Sequence, residues 1–250
     1  MICDNCGGEL KLKSNEGGVK VYNCVCCGST KEVEDAPKVA ITPVNHTSSG
    51  EDVFEANIAS AVELYCDLGG GAVSSGSGYI ISTNGKIITN AHVVSNPNNN
   101  YLPVNNIMVR LMGKSYPATV VAMGDNKGGN GDGVDLAIVK INEMFLTTKP
   151  VKFADSMSVK NGMKVFAIGN SLGQGTCITT GIVSDKARVL HDGKTYIMTD
   201  CAINAGNSGG PLFNESGEVI GSVVAGITNA EGMNFAIPCG IVQNFIERNN

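Results

Sequence analysis

The stretch GYIISTNGKIITNAHVV, residues 78–94, contains two strand-length apolar runs, GYIIS and KIITNAHVV, separated by turn residues. Similar runs rich in Val, Ile and Thr recur along the rest of the chain, and most are bounded by Gly, Asn, Asp or Pro. They are NIMVRLM (106–112), ATVVAM (118–123), VDLAIVKI (134–141), KVFAIG (164–169), GIVSDKARVL (181–190), TYIMTD (195–200) and EVIGSVVAGI (218–227). About a dozen such strands in roughly 180 residues predict an all-β fold, either a pair of β-barrels or a sandwich.

Composition excludes several classes of protein. The 250-residue chain is 42% hydrophobic and 16% charged, which allows a sizeable core and argues against disorder. Its formal net charge of −5 offers no electrostatic attraction to nucleic acid or to an anionic membrane. No run of about 18 apolar residues occurs, and the start, MICDNCGGEL, has neither a basic region nor a long apolar region. We therefore expect a cytoplasmic protein without a signal peptide.

The chain is expected to have three parts. Residues 1–34 are rich in Cys and Gly and predict a small unit, and residues 35–50 have the Pro, Ser and Thr content of a linker. Residues 51–250 are predicted to form the large domain. Its first segment, 51–65, is predicted to be an amphipathic helix because apolar residues recur there at helical spacing, namely Phe54, Ile58, Ala61, Val62 and Tyr65. The last segment, GIVQNFIERNN, predicts a short closing helix.

The segment DCAINAGNSGGP, residues 200–211, presents a serine among glycines. A serine nucleophile needs open access to a carbonyl, and small neighbours allow a tight turn that exposes Ser208. They also let consecutive backbone N–H groups point at one spot, as an oxyanion hole requires. Gly206 and Ser208 are the best-placed donors, with Asn207 between them. Taken alone, the same segment fits an ordinary turn between strands equally well.

A base and a carboxylate are needed to activate such a serine. The chain has three histidines, His46, His92 and His191. Only His92 lies at the end of an apolar run, where an imidazole can be held rigidly. Asp135 interrupts the apolar run VDLAIVKI, where an unpaired buried charge would cost several kcal/mol. Asp125 and Asp132 lie in a Gly/Asn-rich loop that solvates them easily, so Asp135 is the predicted partner, unless it faces water at a strand edge.

The N-terminal cysteines suggest a metal site. CDNCGG (3–8) and CVCCGS (24–29) each contain a C-x-x-C-G knuckle. Two knuckles joined by a hairpin provide the four thiolates of a closed, structural zinc site, so the predicted Zn²⁺ ligands are Cys3, Cys6, Cys24 and Cys27. Cys26 is surplus and could replace Cys24 or Cys27. A redox pair is the alternative. The pattern resembles a zinc ribbon.

The predicted ribbon is not basic. Residues 1–36 carry four lysines and six acidic residues, a formal balance of 4 − 6 = −2 before the metal site is counted. This charge disfavours nucleic-acid binding and favours a protein partner. The other cysteines lie in apolar or strand contexts and are expected to be reduced core residues, namely Cys66, Cys177, Cys201 and Cys239.

Residues 66–250 resemble the HtrA/Deg family of trypsin-like serine proteases. Seven ordered segments carry the resemblance: SGSGYII (75–81), ITNAHVV (88–94), VDLAIVKI (134–141), FAIGNSLGQGTCITTGIVS (166–184), TDCAINAGNSGGPL (199–212), VIGSVVAGI (219–227) and MNFAIP (233–238). The resemblance implies a double six-stranded β-barrel of the chymotrypsin/trypsin type. It also implies a serine endopeptidase with a triad of His92, Asp135 and Ser208, which needs no cofactor for catalysis.

Substrate contacts follow from the resemblance as well. It implies that Ala202 and Ile203 lie near the base of the side-chain pocket, and that Ser222, Val223 and Val224 pair with substrate backbone. No acidic residue occurs in 201–207, so cleavage after small or medium aliphatic residues is expected. Unfolded or flexible polypeptides are the substrates the family implies, and a homo-oligomer, often a trimer in this family, remains open. The family's C-terminal PDZ domain is expected to be absent.

Two other functions compete with the protease. The first is a binding or scaffold protein that uses a catalytically silent protease fold, with the ribbon as its docking module. The presence of His92, Asp135, Ser208 and the glycine turn in one chain argues against it, because folding alone does not require all of them together. The second is a nucleic-acid-associated protein whose functional part is the ribbon, and the acidic balance of that unit argues against it.

Overall fold

The computed structural model of the protein describes residues 2–16, 19–34, 49–124, 133–141, 149–226 and 232–249. The chain divides into two compact units, residues 1–46 and 47–250. The boundary falls within the segment predicted to be a linker, of which residues 35–48 lie outside the described residues. Each unit has its own sheets and its own core.

The N-terminal unit is a three-stranded antiparallel sheet. Its strands are β1 (Leu10–Glu16), β2 (Val19–Cys24) and β3 (Thr30–Glu34), in the order β1-β2-β3. Among the described residues of this unit, the buried apolar cluster consists of Cys3, Leu10 and Cys24, with Tyr22 packed against them. A core this small cannot by itself offset the chain entropy lost on folding, so the unit needs an additional source of stability.

The predicted helix over 51–65 is wrong in its second half. The helix α1 spans Gly50–Asn57, a 3-10 turn follows at Ile58–Ser60, and Ala61–Gly69 is the strand β4. The N-terminus of α1 has a capping box, in which Ser49 and Asp52 exchange hydrogen bonds between side chain and backbone N–H at 2.8 and 3.2 Å. The helical spacing of apolar residues past position 57 is overridden because β4 pairs with strands on both sides.

The first half of the large unit is a closed barrel. After β4 come β5 (Ala72–Ile80) and β6 (Lys86–Thr89), and then a minor hairpin of β7 (Ser95–Asn96) and β8 (Leu102–Pro103). The chain continues with β9 (Ile107–Leu111), β10 (Lys114–Met123) and β11 (Ala137–Ile141). The six strands close in the order β10-β11-β6-β5-β4-β9 around an apolar core.

The second half forms another ring of six strands. Its elements are β12 (Lys152–Phe153), β13 (Lys164–Gly169), β14 (Cys177–Val189), β15 (Thr195–Thr199), β16 (Pro211–Phe213), β17 (Glu218–Gly226) and β18 (Asn234–Pro238). The order β17-β16-β13-β14-β15-β18 closes through the pairing of β17 with β18, while β12 adds in parallel outside β17. The closing helix α2 (Cys239–Arg248) was predicted from its sequence. The predicted pair of six-stranded barrels is confirmed.

An apolar interface joins the two barrels. Tyr79 and Ile138 of the first barrel share one buried cluster with Phe166 and Phe213 of the second. This packing holds the two barrels together within the large unit, so loops from both can meet at their junction. Among the described residues, no helix has the length and apolar content needed to cross a membrane.

Candidate functional site

Strand pairing brings His92 and Asp135 together. Strands β6 and β11 are antiparallel with Thr89 opposite Ala137. Continuing this register by two residues would place position 135 opposite position 91, beside the 3-10 turn that contains His92. The Asp135 carboxylate accepts a hydrogen bond from the backbone N–H of His92 at 2.9 Å, and its other oxygen lies 2.6 Å from His92 Nδ1. The imidazole is thus held at two points by one carboxylate.

The Asp135 carboxylate is well shielded from solvent. Its side chain is 16% exposed, against 40% for His92, so the imidazole remains partly open to solvent. The backbone of Asp135 is fixed by Asn90, whose Nδ2 donates to the Asp135 carbonyl at 2.8 Å. The two aspartates considered as alternatives to Asp135, Asp125 and Asp132, lie outside the described residues. Of the two other histidines, His46 also lies outside the described residues, and His191 lies on an exposed turn.

Ser208 lies in a turn held by both barrels. The N–H of Ser77 on β5 donates to the Ser208 carbonyl at 2.8 Å, and the N–H of Gly209 donates to the Val223 carbonyl on β17 at 2.7 Å. The Ser208 hydroxyl donates to the carbonyl of Val224 at 2.7 Å. Within the described part of the chain, no hydrogen bond joins Ser208 to His92. The nucleophile candidate is therefore bonded to the backbone of β17 in this conformation.

The directions of two N–H groups follow from peptide planarity. In a trans peptide the C=O and N–H point in opposite directions. The Ala205 carbonyl accepts from the Leu172 N–H at 2.7 Å, so the N–H of Gly206 points away from Leu172. The Asn207 carbonyl accepts from the Gly210 N–H at 3.0 Å, which likewise turns the N–H of Ser208 away from Gly210. Neither N–H has an acceptor among the described residues.

Asn207 does not fit the predicted set of oxyanion donors. Its backbone N–H donates to the Asn204 carbonyl at 3.0 Å and is therefore engaged. Gly206 has φ +95°, and a Cβ there would collide with the Asn170 carbonyl oxygen, so this position requires glycine. Of the segment Gly206, Asn207 and Ser208 predicted to form the oxyanion hole, only Gly206 and Ser208 keep a backbone N–H that has no acceptor among the described residues.

Sequence reasoning missed Ser77. This fully buried residue donates its hydroxyl to the Gly206 carbonyl at 2.6 Å and accepts from the Asn170 N–H at 2.8 Å. Its carbonyl accepts from the Thr89 hydroxyl at 2.7 Å. Ser77 therefore contacts both the turn of the candidate nucleophile and the segment after β13. Its position between two glycines in SGSGYII was the only signal, and that signal does not indicate a partner.

The residues predicted to line the side-chain pocket lie just before the turn. Ala202 is exposed, and its carbonyl accepts from the Thr179 hydroxyl on β14 at 2.9 Å. Ile203 is half-buried and packs against the core of the second barrel.

The predicted substrate-pairing strand needs correction. Val223 donates its N–H to the Gly210 carbonyl at 2.8 Å and accepts from the Gly209 N–H at 2.7 Å. Ser222 is fully buried between β16 and β18, with Pro211 opposite on one side and Ile237 on the other. Neither residue offers a free backbone edge to a substrate. Of the three residues predicted, only Val224 lies where the β17–β18 register shifts.

The four predicted metal ligands come together. The sulfur atoms of Cys3, Cys6, Cys24 and Cys27 all lie within 4.8 Å of one another, with Cys3 and Cys27 at 3.7 Å and Cys6 and Cys24 at 3.5 Å. Each knuckle closes by the same bond, from a glycine N–H to the carbonyl of its first cysteine, at 2.9 and 3.0 Å. Cys26 is exposed and is not part of the group.

The thiols outside this cluster have no disulfide partners. Of these, Cys66, Cys201 and Cys239 are buried, whereas Cys177 is partly exposed, contrary to the prediction for it. Burial raises the pKa of the Cys66 thiol to about 12. Such thiols stay protonated and unreactive at neutral pH.

Comparison with known proteins identifies the family of this chain. A family model described as "Trypsin-like peptidase domain" matches residues 76–221. The chain is 37% identical over 179 residues to a "Probable periplasmic serine endoprotease DegP-like" of Chlamydia pneumoniae, covering 69% of this chain and 34% of that protein. It is 36% identical over 182 residues to the mitochondrial serine protease HTRA2 of Drosophila grimshawi, covering 70% and 39%. The chain thus spans well under half of these relatives.

Solved structures show the same fold. The HtrA-type protease AlgW with a tripeptide superposes with a TM-score of 0.68 at 28% identity, covering 80% of this chain and 62% of that one. The serine endoprotease of Yersinia pestis gives a TM-score of 0.66 at 28% identity, covering 80% and 66%. Because the family model covers more than half of the chain, the protein belongs to the trypsin-like peptidase family, within which it is HtrA-like.

Proposed function

We propose that this protein is a serine endopeptidase that works through an acyl-enzyme, with Ser208 as nucleophile, His92 as base and Asp135 as the residue that orients the base. The observation that carries the proposal is that the shielded Asp135 carboxylate forms two hydrogen bonds with His92, one with its backbone N–H and one with its Nδ1. An Nδ1–H donated to Asp135 leaves Nε2 as an acceptor, which is the tautomer a general base needs.

The turn at 206–208 supplies the nucleophile and the donors that bind the oxyanion. In the proposed reaction, Ser208 Oγ attacks a peptide carbonyl while His92 accepts its proton, and the N–H groups of Gly206 and Ser208 bind the oxyanion. His92 then protonates the leaving amine, and water releases the acyl group by the reverse sequence. Neither N–H has an acceptor in the part of the chain that the structure describes, which supports their role.

The hydroxyl of Ser208 must leave Val224 before it can react. Its proton is donated to the Val224 carbonyl and is therefore not available to the imidazole. Rotation about the serine Cα–Cβ bond is the smallest movement that could redirect it. We propose that substrate binding beside Val224 favours this rotation, because a substrate backbone would compete for the same carbonyl.

Casein digestion tests the enzyme directly. We expect wild-type protein to degrade casein and to react with a fluorophosphonate probe, and Ser208→Ala to do neither. Ser75→Ala, at an exposed serine of β5, is the matched control and should behave as wild type. Casein degradation by Ser208→Ala would refute the nucleophile, and a wild-type protein that neither cleaves nor reacts would favour the silent scaffold.

The cleavage preference follows from the lining of the turn. Ala202 and Ile203 lack charge, and no carboxylate occurs in 201–207, so we propose cleavage after small or medium aliphatic residues in unfolded or flexible polypeptides. A peptide library digested by the wild-type protein measures this preference. A profile dominated by Lys and Arg would contradict it.

We further propose that the four-thiol cluster holds one structural Zn²⁺. Tetrahedral zinc with bonds of about 2.3 Å to sulfur places neighbouring sulfurs about 3.8 Å apart, and the two pairs here lie at 3.5 and 3.7 Å. The Ser29 hydroxyl, 3.1 Å from Cys27 Sγ, the Ser29 backbone N–H and the Cys6 thiol together lower the pKa of the Cys27 thiol to about 6. The pKa of the Cys6 thiol moves the other way, to about 12, because the backbone hydrogen bond from Gly8, which lowers it, is outweighed by its hydrogen bonds with Cys27 and Cys24, so Cys27 is the first of this pair to become a thiolate. The metal would stabilise a unit whose own core is too small.

Metal analysis tests the zinc proposal without reference to activity. Purified protein should contain about one Zn²⁺ per chain. Cys6→Ser should lose the metal, while Cys26→Ser should retain it, because Cys26 lies outside the cluster. Loss of zinc from Cys26→Ser alone would show that the ligand set is different.

A cytoplasmic location and a protein partner for the ribbon are also proposed. All nine cysteines are free, which suits a reducing compartment. The acidic balance of residues 1–36 supports a protein partner rather than nucleic acid. Cell fractionation and a salt titration of DNA binding would test these two statements separately.

A further inference from the structure

A buried carboxylate lies at the junction of the two barrels, outside the proposed triad. Glu63 on β4 is 6% exposed. Its Oε2 accepts from the Tyr65 hydroxyl at 2.8 Å and from Asn170 Nδ2 at 3.2 Å, and its Oε1 accepts from the Thr176 hydroxyl at 3.0 Å. Arg110, opposite on β9, approaches to 3.9 Å. Burying a carboxylate is costly unless it is well paired, so this arrangement requires an explanation.

The network joins the first barrel to one segment of the second. Asn170 and Thr176 are the two ends of the connection between β13 and β14, which we call the 170–176 segment. Asn170 is fully buried, and its Oδ1 accepts from the Gly175 N–H at 2.8 Å. Glu63 therefore contacts both ends of the segment, and Asn170 ties them to each other.

The middle of the segment holds the turn of the candidate nucleophile. The Leu172 N–H donates to the Ala205 carbonyl at 2.7 Å, and the Ser171 hydroxyl accepts from Asn204 Nδ2 at 3.2 Å. Leu172 has φ +55°, a left-handed conformation that is unfavourable for a residue with a side chain. Such a conformation persists where surrounding contacts hold it in place, as the anchored ends of the segment do here.

Because the peptide between Ala205 and Gly206 is planar, holding the Ala205 carbonyl fixes the direction of the Gly206 N–H. We propose that Glu63 is a positioning residue for the oxyanion hole: it anchors the 170–176 segment, which aims the Gly206 N–H at the substrate oxygen. This inference rests on the proposed serine endopeptidase function. Among the described residues, no hydrogen bond or ion pair joins Glu63 to His92, Asp135 or Ser208.

The variant Glu63→Gln keeps the shape of the side chain but replaces one acceptor oxygen by a donor. The change removes the negative charge that strengthens all three hydrogen bonds, and the Thr176 hydroxyl must accept instead of donate wherever the amide nitrogen faces it, so the anchor weakens. We expect kcat to fall about tenfold to a hundredfold with little change in KM, below the roughly 10²–10³-fold loss for removal of a whole oxyanion donor. Affinity for a peptide boronic acid, which mimics the tetrahedral intermediate, should fall by the same factor as kcat/KM.

Two further variants separate positioning from general destabilisation. Leu64→Ala removes a fully buried neighbour on β4 that points into the barrel core, so it should lower the melting temperature without a comparable loss of kcat. The double variant Glu63→Gln with Asn170→Asp swaps the amide and the carboxylate between the two positions, so an amide can again donate to a carboxylate. It should recover part of the kcat that Glu63→Gln loses. All rates are measured below the melting temperature of every variant.

Hydrogen exchange gives a readout that does not depend on activity. Peptides that cover 170–176 and 204–208 should exchange faster in Glu63→Gln than in wild type or in Leu64→Ala. Unchanged exchange, or an equal loss of kcat in Leu64→Ala, would overturn the inference. If wild-type protein hydrolysed nothing, the proposed function would fail by itself, and the exchange data would still decide whether Glu63 holds the segment.

Discussion

Asp135→Asn is the sharpest test of the site because the structure dictates how the new amide must orient. Asp135 accepts two hydrogen bonds from His92, one from its backbone N–H at 2.9 Å and one involving Nδ1 at 2.6 Å. A backbone N–H can only donate, so the oxygen of the asparagine must face it. The NH₂ group then faces Nδ1, which must become an acceptor, and the imidazole proton moves to Nε2.

An imidazole that is protonated on Nε2 cannot accept the proton of Ser208. Disruption of the same kind in this mechanism costs about four orders of magnitude in turnover, or about 5 kcal/mol at roughly 1.4 kcal/mol per factor of ten. We therefore expect kcat of Asp135→Asn to fall about 10⁴-fold. KM should change little, because the Asp135 carboxylate contacts His92 rather than substrate.

Hydrolysis of a peptide ester, normalised to the concentration of correctly folded protein, measures the effect. Asp185→Asn, at an aspartate that pairs with Arg188 on β14, serves as the control and should retain wild-type turnover. A rate for Asp135→Asn within tenfold of wild type would refute the assignment of Asp135 and the tautomer argument with it.

Three other outcomes follow from the packing and titration of buried groups. Ser77→Ala should lower the free energy of unfolding, measured in urea, by roughly 2–5 kcal/mol, because it leaves the Gly206 carbonyl and the Asn170 N–H unpaired. The control Ser75→Ala, at an exposed position, should change it by no more than about 0.5 kcal/mol. Equal effects of the two substitutions would show that the Ser77 hydrogen bonds contribute nothing to stability. Gly209→Ala should lower the free energy of unfolding by roughly 2–5 kcal/mol, because the alanine would be strained at φ +85° and its Cβ would collide with Ser77 and Thr89. The control Gly175→Ala has a similar φ of +97° but no atom near its Cβ, so it should lower this free energy by only about 1–2 kcal/mol. The Cys66 thiol keeps its proton in both the folded and the unfolded chain at pH values below its usual pKa of 9.0. Between pH 9.0 and about 12, only the unfolded chain releases this proton. The free energy of unfolding should therefore fall with rising pH in this range, by up to about 1.4 kcal/mol per pH unit. Urea unfolding at several alkaline pH values should show a shallower slope in Cys66→Ala; identical slopes would contradict the buried thiol's role.

Residues that follow local rules were predictable from the chain. Strand-length apolar runs predicted an all-β fold, a pair of barrels or a sandwich, and the resemblance to a known family chose the two barrels. The repeated C-x-x-C-G knuckles predicted four sulfurs that the structure places within 4.8 Å of one another. Asp135 was selected because a carboxylate in an apolar run needs a partner, and the structure places it against His92. In each case the information lies within a few residues of the position concerned.

The segment 51–65 shows where such rules fail. Its apolar spacing fits a helix, yet Ala61–Gly69 forms a strand because β5 and β9 offer it hydrogen-bonded neighbours on both sides. Those partners are distant in sequence, so no local pattern reveals them. Glu63 was overlooked for the same reason: it interrupts an apolar strand just as Asp135 does, but the segment was assigned to a helix, where a glutamate is unremarkable.

The sequence by itself determined which groups are available for chemistry: the serine in its glycine turn, the histidine, the aspartate and the four thiols. Only the tertiary structure decided how those groups are aimed. It engages the Asn207 N–H, uses both polar groups of Val223, and turns the Ser208 hydroxyl to Val224. The physical reason is that local bonds shape the turn, whereas its peptide planes are fixed in space by hydrogen bonds to residues far along the chain. The Leu172 N–H binds the Ala205 carbonyl, and the Ser77 hydroxyl, 129 positions away, binds the Gly206 carbonyl.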